Sequence, residues 1–391
     1  MSEQRVASRR VASFGETVFA TYSRLAKETG AVDLGQGFPD FEPPGFVTQA
    51  LREAAGGYQQ YPPLAGWPPL LEALAEDIGR RLGRSIEPAS NLLVTVGATE
   101  GLFAVMQAFI DPGDEVVLIE PFYDAYPADV TMAGGVPRFV PLEPQEDGSW
   151  LLDQQRLAAA FNERTRMIVV NSPHNPSGKV FSAQELDFII ELAQRHDTLI
   201  LADQVYEHIS FTPFVDLLSR TGAWERAISL SSFGKSFSVT GWKIGWACGP
   251  ENLITAMRRA HQWIPFTVAT PLQVAAAESI RHAANTSYYE DLHGSYLAKR
   301  DLLLAALEAT PFRAMRPEGG YFVIANSREL DYPDDEALCR DLPVRAGVTA
   351  IPPSAFYSPE HRHLARSLVR FAFCKRDEAI AEAGERLARL S

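Results

Sequence analysis

Lys235 lies in the run Ser231-Ser232-Phe233-Gly234-Lys235-Ser236-Phe237-Ser238-Val239-Thr240-Gly241-Trp242-Lys243, with the second lysine eight residues on. Its neighbours are small, hydroxylic or aromatic. Such surroundings take water away from an amine, lower its pKa and expose its lone pair. A lysine in that state attacks carbonyl carbon, as in Schiff-base formation. Asp203 closes the apolar run Thr198-Leu199-Ile200-Leu201-Ala202. A carboxylate buried at such a strand end needs a partner. Arg370 interrupts a second apolar run, Leu368-Val369-Arg370-Phe371-Ala372-Phe373. Turned inward, a guanidinium needs an anion, and its planar fork matches a carboxylate.

These residues must be positioned by the elements around them. Short apolar runs alternate with helical patterns through the middle of the chain. Strands are expected at Leu92–Val96, Glu115–Ile119, Pro137–Leu142, Met167–Asn171, Thr198–Asp203, Ala227–Ser231 and Ile244–Gly249. Several are continuously apolar, as strands buried on both faces are. Helical periodicity fills Glu100–Ile110 and Ala183–His196. Strand-helix-strand repetition implies an α/β fold with a mostly parallel sheet covered on both sides. Asn171, Asp203 and Ser232 each end or follow a strand. Ligands in open α/β sheets lie at the carboxyl ends of the strands, so these three read as one site. The first 45 residues or so, with the Gly- and Pro-rich stretch Asp33–Pro44, read as an arm and a loop. After about Ser279 the pattern changes to a long helix (Tyr288–Ala309), short strands near Phe322, Val348 and Val369, and a terminal helix, which suggests a smaller α+β domain. The expected division is therefore 1–45 (an arm packing with the small domain), 46–280 (the large domain) and 281–391 (the small domain).

Composition bounds the function. The chain has 391 residues, 46% hydrophobic and 22% charged, enough for a large core and two domains. A formal charge of −13 argues against nucleic acid or an anionic membrane as a partner. Cys248, Cys339 and Cys374 show no metal-ligand or disulfide spacing, so no metal is expected. Met1–Arg10 is polar and basic without an apolar core, unlike a secretory signal. The most apolar stretch, Leu92–Ile110, contains Glu100 and two glycines, so no membrane span is expected. A cytoplasmic protein follows from these readings.

Seven segments carry a resemblance, in order: LGQGFPDF from Leu34, VTVGATEG from Val94, PFYDAY from Pro121, NSPHNPSGK from Asn171, ADQVYE from Ala202, SSFGKSFSVTGWKIGW from Ser231 and VRFAFCKR from Val369. From about Phe14 to Arg376 the chain resembles the class I aminotransferases, fold type I enzymes dependent on pyridoxal 5′-phosphate (PLP). Within them it resembles the kynurenine/glutamine and methionine branch. The resemblance implies an aspartate-aminotransferase-like fold: a large domain with a seven-stranded, mostly parallel sheet between helices, and a smaller α+β domain. It makes Lys235 the catalytic, cofactor-bearing lysine. The turn with Ala98 and Thr99 takes the PLP phosphate, where helix N-terminal N–H groups bind anions, and Ser232 and Lys243 assist. Tyr123 lies against the ring, and Asn175 and Tyr206 donate to its phenolic oxygen. Asp203 pairs with the ring nitrogen, a contact of roughly 5 kcal/mol at ~3 Å and an effective dielectric near 20, before desolvation. Arg370 takes the substrate α-carboxylate, helped by Gly37 and Asn175. Tyr61 resembles a tyrosine that reaches the PLP phosphate of the partner in a two-fold homodimer.

For the substrate, the resemblance points to Phe19, Thr99, Tyr123, Phe266 and Thr267. Phe19 stands where kynurenine-type enzymes tend to carry Trp, closer to the methionine-type pattern. No second inward Arg for a dicarboxylic acid is evident. The expected partners are thus a neutral apolar or aromatic amino acid (Met, Phe, kynurenine or Gln type) and a 2-oxo acid. TVFATYS, GATEG, KIGWACGP and FCKRD also resemble bacterial N-succinyldiaminopimelate aminotransferases, which keeps that substrate open. Cysteine-S-conjugate β-elimination stays open as a competing outcome. A regulator built on the same fold would need a DNA-binding extension and a basic patch, and the chain is acidic.

Overall fold

The structure is a computed structural model and describes residues 7–12 and 14–390. Its largest sheet has eight strands: β1 (Leu92–Val96), β2 (Glu115–Glu120), β3 (Val136–Pro144), β4 (Trp150–Leu152), β5 (Thr165–Asn171), β6 (Leu199–Asp203), β7 (Ala227–Ser232) and β8 (Ile244–Cys248). They lie side by side in the order β1-β8-β7-β6-β5-β2-β3-β4. Only β8 and β4 run against the rest. All seven expected strands are present. The addition is β4, a three-residue edge strand that pairs antiparallel with β3.

Alternation along each strand feeds two cores. Val117, Ile119, Ile168 and Ile200 pack into one; Val116, Leu118, Val169 and Leu201 pack into the other. The sheet is therefore buried on both faces, which is why these strands read as continuous apolar runs. A third core gathers the helix Tyr288–Glu308, the antiparallel sheet of β9 (Arg313–Met315), β10 (Phe322–Asn326) and β11 (Leu368–Ala372), and the helix Asp377–Leu387.

The N-terminal segment departs from the expected arm and loop. Val18–Thr29 is a helix, α1, with the Thr17 side chain accepting from Ala20 N at its start and Gly30 in the left-handed conformation at its end. They are standard start and stop signals of a helix. Tyr22 of α1 and Leu34 join the third core, and Val32–Asp33 pairs in parallel with Val348–Thr349.

Register brings the polar strand ends together. Asn171 lies opposite Asp203, Ser232 opposite Gly245, and Val96 opposite Ile244. From β1 the chain turns at Gly97 (φ +67) straight into helix α2 (Gly97–Phe109). This turn lies almost on β8: a Cβ at Gly245 would come within 2.6 Å of Ala98 N and 2.8 Å of Ser231 O. Backbone cannot yield as a side chain can. Gly245→Ala should thus destabilise the protein by about 1–3 kcal/mol, the usual range for overpacking. Denaturant unfolding of the variant reads this directly, and an unchanged midpoint would contradict the packing account.

Candidate active site

A cavity of about 190 Å³ opens at the carboxyl ends of β5, β6 and β7. Ala98, Thr99, Tyr123, Asn175, Asp203, Tyr206, Ser232, Lys235 and Lys243 all line it. Nine candidate residues spread over 146 positions of sequence thus meet at one place.

Lys235 lies on the short helix Phe233–Ser236 that follows β7. Its Nζ donates to the Tyr321 hydroxyl at 2.6 Å and sits 5.5 Å from the centroid of the Tyr206 ring. Burial pushes its pKa down from 10.5 to about 8, against the opposing pull of Cys374 and Asp203. Asp203 is buried at the end of β6. Burial raises its carboxyl pKa, while hydrogen bonds from the Tyr126 hydroxyl (2.6 Å) and Val205 N (3.3 Å) draw it back. No cation lies within ion-pair distance of this carboxyl among the described residues. Asn171 braces the floor: its Nδ2 donates to Asp203 O at 2.8 Å, and its Oδ1 accepts from Asn175 N at 2.7 Å.

The turn into α2 closes one end of the cavity. The side chain of Val96 offers no cap, so the first N–H groups of the helix are free to meet an anion. Lys243, itself in the left-handed conformation at φ 55, donates from Nζ to Thr99 Oγ1 at 3.1 Å. Ser232 is on the same rim.

Arg370 is wholly buried in β11, flanked by β10 and bridged to Ile351 on its other side. Its Nη1 donates to Asn175 Oδ1 at 3.2 Å and its Nη2 to Gly35 O at 2.9 Å, while Nε has no partner among the described residues. The guanidinium carbon lies 4.1 Å from the Phe322 ring centroid, 5.0 Å from Phe356 and 5.3 Å from Phe19. Burial lowers its pKa to about 10, and no carboxylate among the described residues pairs with it. A buried guanidinium with spare donors is a receptor for an anion.

Not every candidate converges. Gly37 is on the loop beside the site, where its carbonyl accepts from Tyr321. A Cβ there would meet the Phe322 ring at 2.6 Å, so the loop can approach only as glycine. Tyr61 and Phe266 lie on the surface, away from the cavity lining, with their rings edge to face at 5.2 Å. Thr267, next to Phe266 in sequence, is also outside the lining. Two residues were not singled out from the sequence: Tyr126, which holds Asp203, and Tyr321, which holds Lys235. Tyr126 ends the PFYDAY segment, where its distance from Tyr123 was a usable signal.

Residues 29–387 match the sequence profile of the aminotransferases of class I and II. The chain belongs to that family. The aminotransferase is similar to the kynurenine–oxoglutarate transaminase of Dictyostelium discoideum, 37% identical over 417 residues, with 98% of this chain and 96% of that protein covered. Among solved structures it resembles N-succinyldiaminopimelate aminotransferase of Mycobacterium tuberculosis, 43% identical with a TM-score of 0.94, covering 98% of this chain and 100% of the other. It also resembles the methionine aminotransferase YbdL of Escherichia coli, 34% identical with a TM-score of 0.92, over 99% of this chain and 100% of that one. The aspartate-aminotransferase-like fold and the transaminase activity expected from the seven segments thus hold.

The depressed pKa of Lys235 is measurable in the aminotransferase freed of cofactor. Its acylation rate should rise through a midpoint near pH 8, while surface lysines follow the ordinary value near 10.5. A midpoint shared with the surface lysines, read by peptide mass spectrometry, would contradict a desolvated amine.

Proposed function

We propose that this aminotransferase uses PLP held on Lys235 to exchange an amino group between a neutral apolar or aromatic amino acid and a 2-oxo acid. The observation that carries the reading is the uncompensated charge around the cavity. Among the described residues, Asp203 is buried with no cation at ion-pair distance and Arg370 with no carboxylate at ion-pair distance. The residues fit the cofactor. Asp203 would face the ring nitrogen and keep it protonated. Asn175 turns Oδ1 to Arg370, which leaves its Nδ2 free, with Tyr206, to donate to the phenolic oxygen. Tyr123 would lie against the ring. The N–H groups of Ala98 and Thr99, with Ser232 and Lys243, would receive the phosphate.

When bound, PLP supplies an electron sink for the pair left behind as the substrate Cα loses its proton. The remaining work falls to the chain. Arg370 docks the α-carboxylate through its planar fork, and Gly37 and Asn175 border the same position. Lys235, neutral above a pKa of about 8, is the base that takes the Cα proton at Nζ and returns it. Burial moves the Asp203 carboxyl toward its neutral form, and the Tyr126 hydroxyl draws it back toward the charged one.

Phe19, Phe322 and Phe356 around Arg370 support an apolar or aromatic side chain, in line with the methionine and kynurenine relatives. The succinylated substrate is the second reading, favoured by the 43% identity to the mycobacterial enzyme.

The reading includes a cytoplasmic homodimer, with Tyr61 reaching the partner's phosphate site and Phe266 bordering the substrate. Tyr61 is 74% exposed and Trp263 85% exposed, an apolar surface that supports an interface. Three unpaired cysteines suit a reducing compartment. Our domain division is 1–45, 46–280 and 281–391; α1 packing on the third core supports the first boundary.

Lys235→Ala should abolish turnover and the cofactor's absorbance when joined to the lysine; transamination near the wild-type rate would remove the assignment. A single-turnover panel of Met, Gln, Phe, kynurenine, Asp and N-succinyldiaminopimelate tests the substrate. Rapid reaction with Met, Phe or kynurenine is expected. Response to the succinylated compound alone would overturn the apolar reading and leave the chemistry in place.

A further inference from the structure

Tyr321 plays no part in the reading above. It is wholly buried just before β10, and its ring is fixed edge to face on Tyr206 (5.0 Å), stacked on Tyr296 (6.0 Å) and against Phe322 (4.8 Å). Its hydroxyl joins two parts of the site. Lys235 Nζ lies 2.6 Å from the oxygen on one side, and Gly37 O lies 2.6 Å from it on the other. The directions of both bonds are forced. A carbonyl oxygen can only accept, and a phenol has one proton. That proton goes to Gly37, so toward Lys235 the Tyr321 oxygen can only accept. A neutral amine has two N–H bonds and one lone pair. With one N–H committed to Tyr321, the lone pair cannot turn that way and is directed elsewhere around Nζ, where the cavity lies.

We propose that Tyr321 is a positioning residue for Lys235, an acceptor that holds one N–H of the amine so that its lone pair faces the substrate. Gly37 is what makes it an acceptor, by taking its proton. The proposal rests on the reading of Lys235 as the acting amine. Proton transfer is steep in geometry, and a displacement near 1 Å can cost about 10²-fold in rate. A base on a long flexible side chain therefore needs a second point of attachment when it is not bound to cofactor.

Tyr321→Phe removes only the oxygen and keeps the packed ring. An accepting oxygen favours the charged form of a donor, so its loss should move the acylation midpoint of Lys235 to lower pH by about one unit in cofactor-free protein. The other groups that act on Nζ (Asp203, Lys243, Arg370 and Cys374) are unchanged in the variant. In the holoenzyme, kcat should fall by roughly 10- to 100-fold, with KM for the amino donor nearly unchanged. Tyr296→Phe is the control. It loses a buried hydroxyl next door, while the Lys235 bond to Tyr321 stays, so it should leave the midpoint in place. A Tyr321→Phe midpoint equal to wild type would overturn the proposal, even if kcat fell, because core packing alone would then explain the loss. Equal shifts in both variants would overturn it too. These outcomes differ from failure of the aminotransferase reading, which shows instead as turnover surviving in Lys235→Ala.

Discussion

Exclusion of water at the carboxyl ends of the central strands is the constraint from which the site follows. Lys235, Asp203 and Arg370 are held there without opposite charges at ion-pair distance among the described residues. Burial moves each toward its neutral form: the amine to about 8, the guanidinium to about 10, the carboxyl upward. Groups in such surroundings cost stability and persist only where the surrounding structure holds them. Tyr126 and Asn171 do that holding by donating to Asp203, Tyr321 by accepting from Lys235, and Asn175 by accepting from Arg370. The site is in this sense an unfinished set of ion pairs, which on the proposed reading the charges of a ligand complete.

The scaffold serves this constraint through register rather than through any one contact. Parallel pairing of β5 with β6 puts Asn171 beside Asp203, and antiparallel pairing of β7 with β8 puts Ser232 beside Gly245. A one-residue slip would turn Asp203 to the other face of the sheet. Apolar packing on both faces makes such a slip costly, because every strand would exchange the residues it gives to each core.

Much of this could be read from residues alone. Continuous apolar runs located the seven strands, and polar residues at their ends located the cavity. Helix α1 was hidden by the Gly- and Pro-rich stretch that follows it, although Thr17 and Gly30 mark its ends. The edge strand β4 has three residues, too few for a period to show. Tyr126 and Tyr321 escaped for a different reason. A buried tyrosine among apolar residues looks like any core aromatic, and only the partner of its hydroxyl distinguishes it. Tyr61 and Phe266 lie outside the cavity lining within one chain, on the exposed surface.

The loop at Gly35–Gly37 joins two functions that chemistry would keep separate. Gly35 gives its carbonyl to Arg370, and two residues later Gly37 gives its carbonyl to Tyr321. The loop is tied down in turn, with Asp33 accepting from the N–H groups of Gly35 and Gln36, and the Gln36 amide donating to Phe19 O on α1. On the proposed roles of Arg370 and Lys235, a library that randomises this loop would change carboxylate affinity and base strength together, and its hits would be hard to interpret. Diversity placed at Phe19 and Phe356 would instead reshape the side-chain slot while both carbonyls stay where they are. For redesign of the preferred amino acid, the aromatic wall is the independent variable and the glycine loop is the one to leave alone.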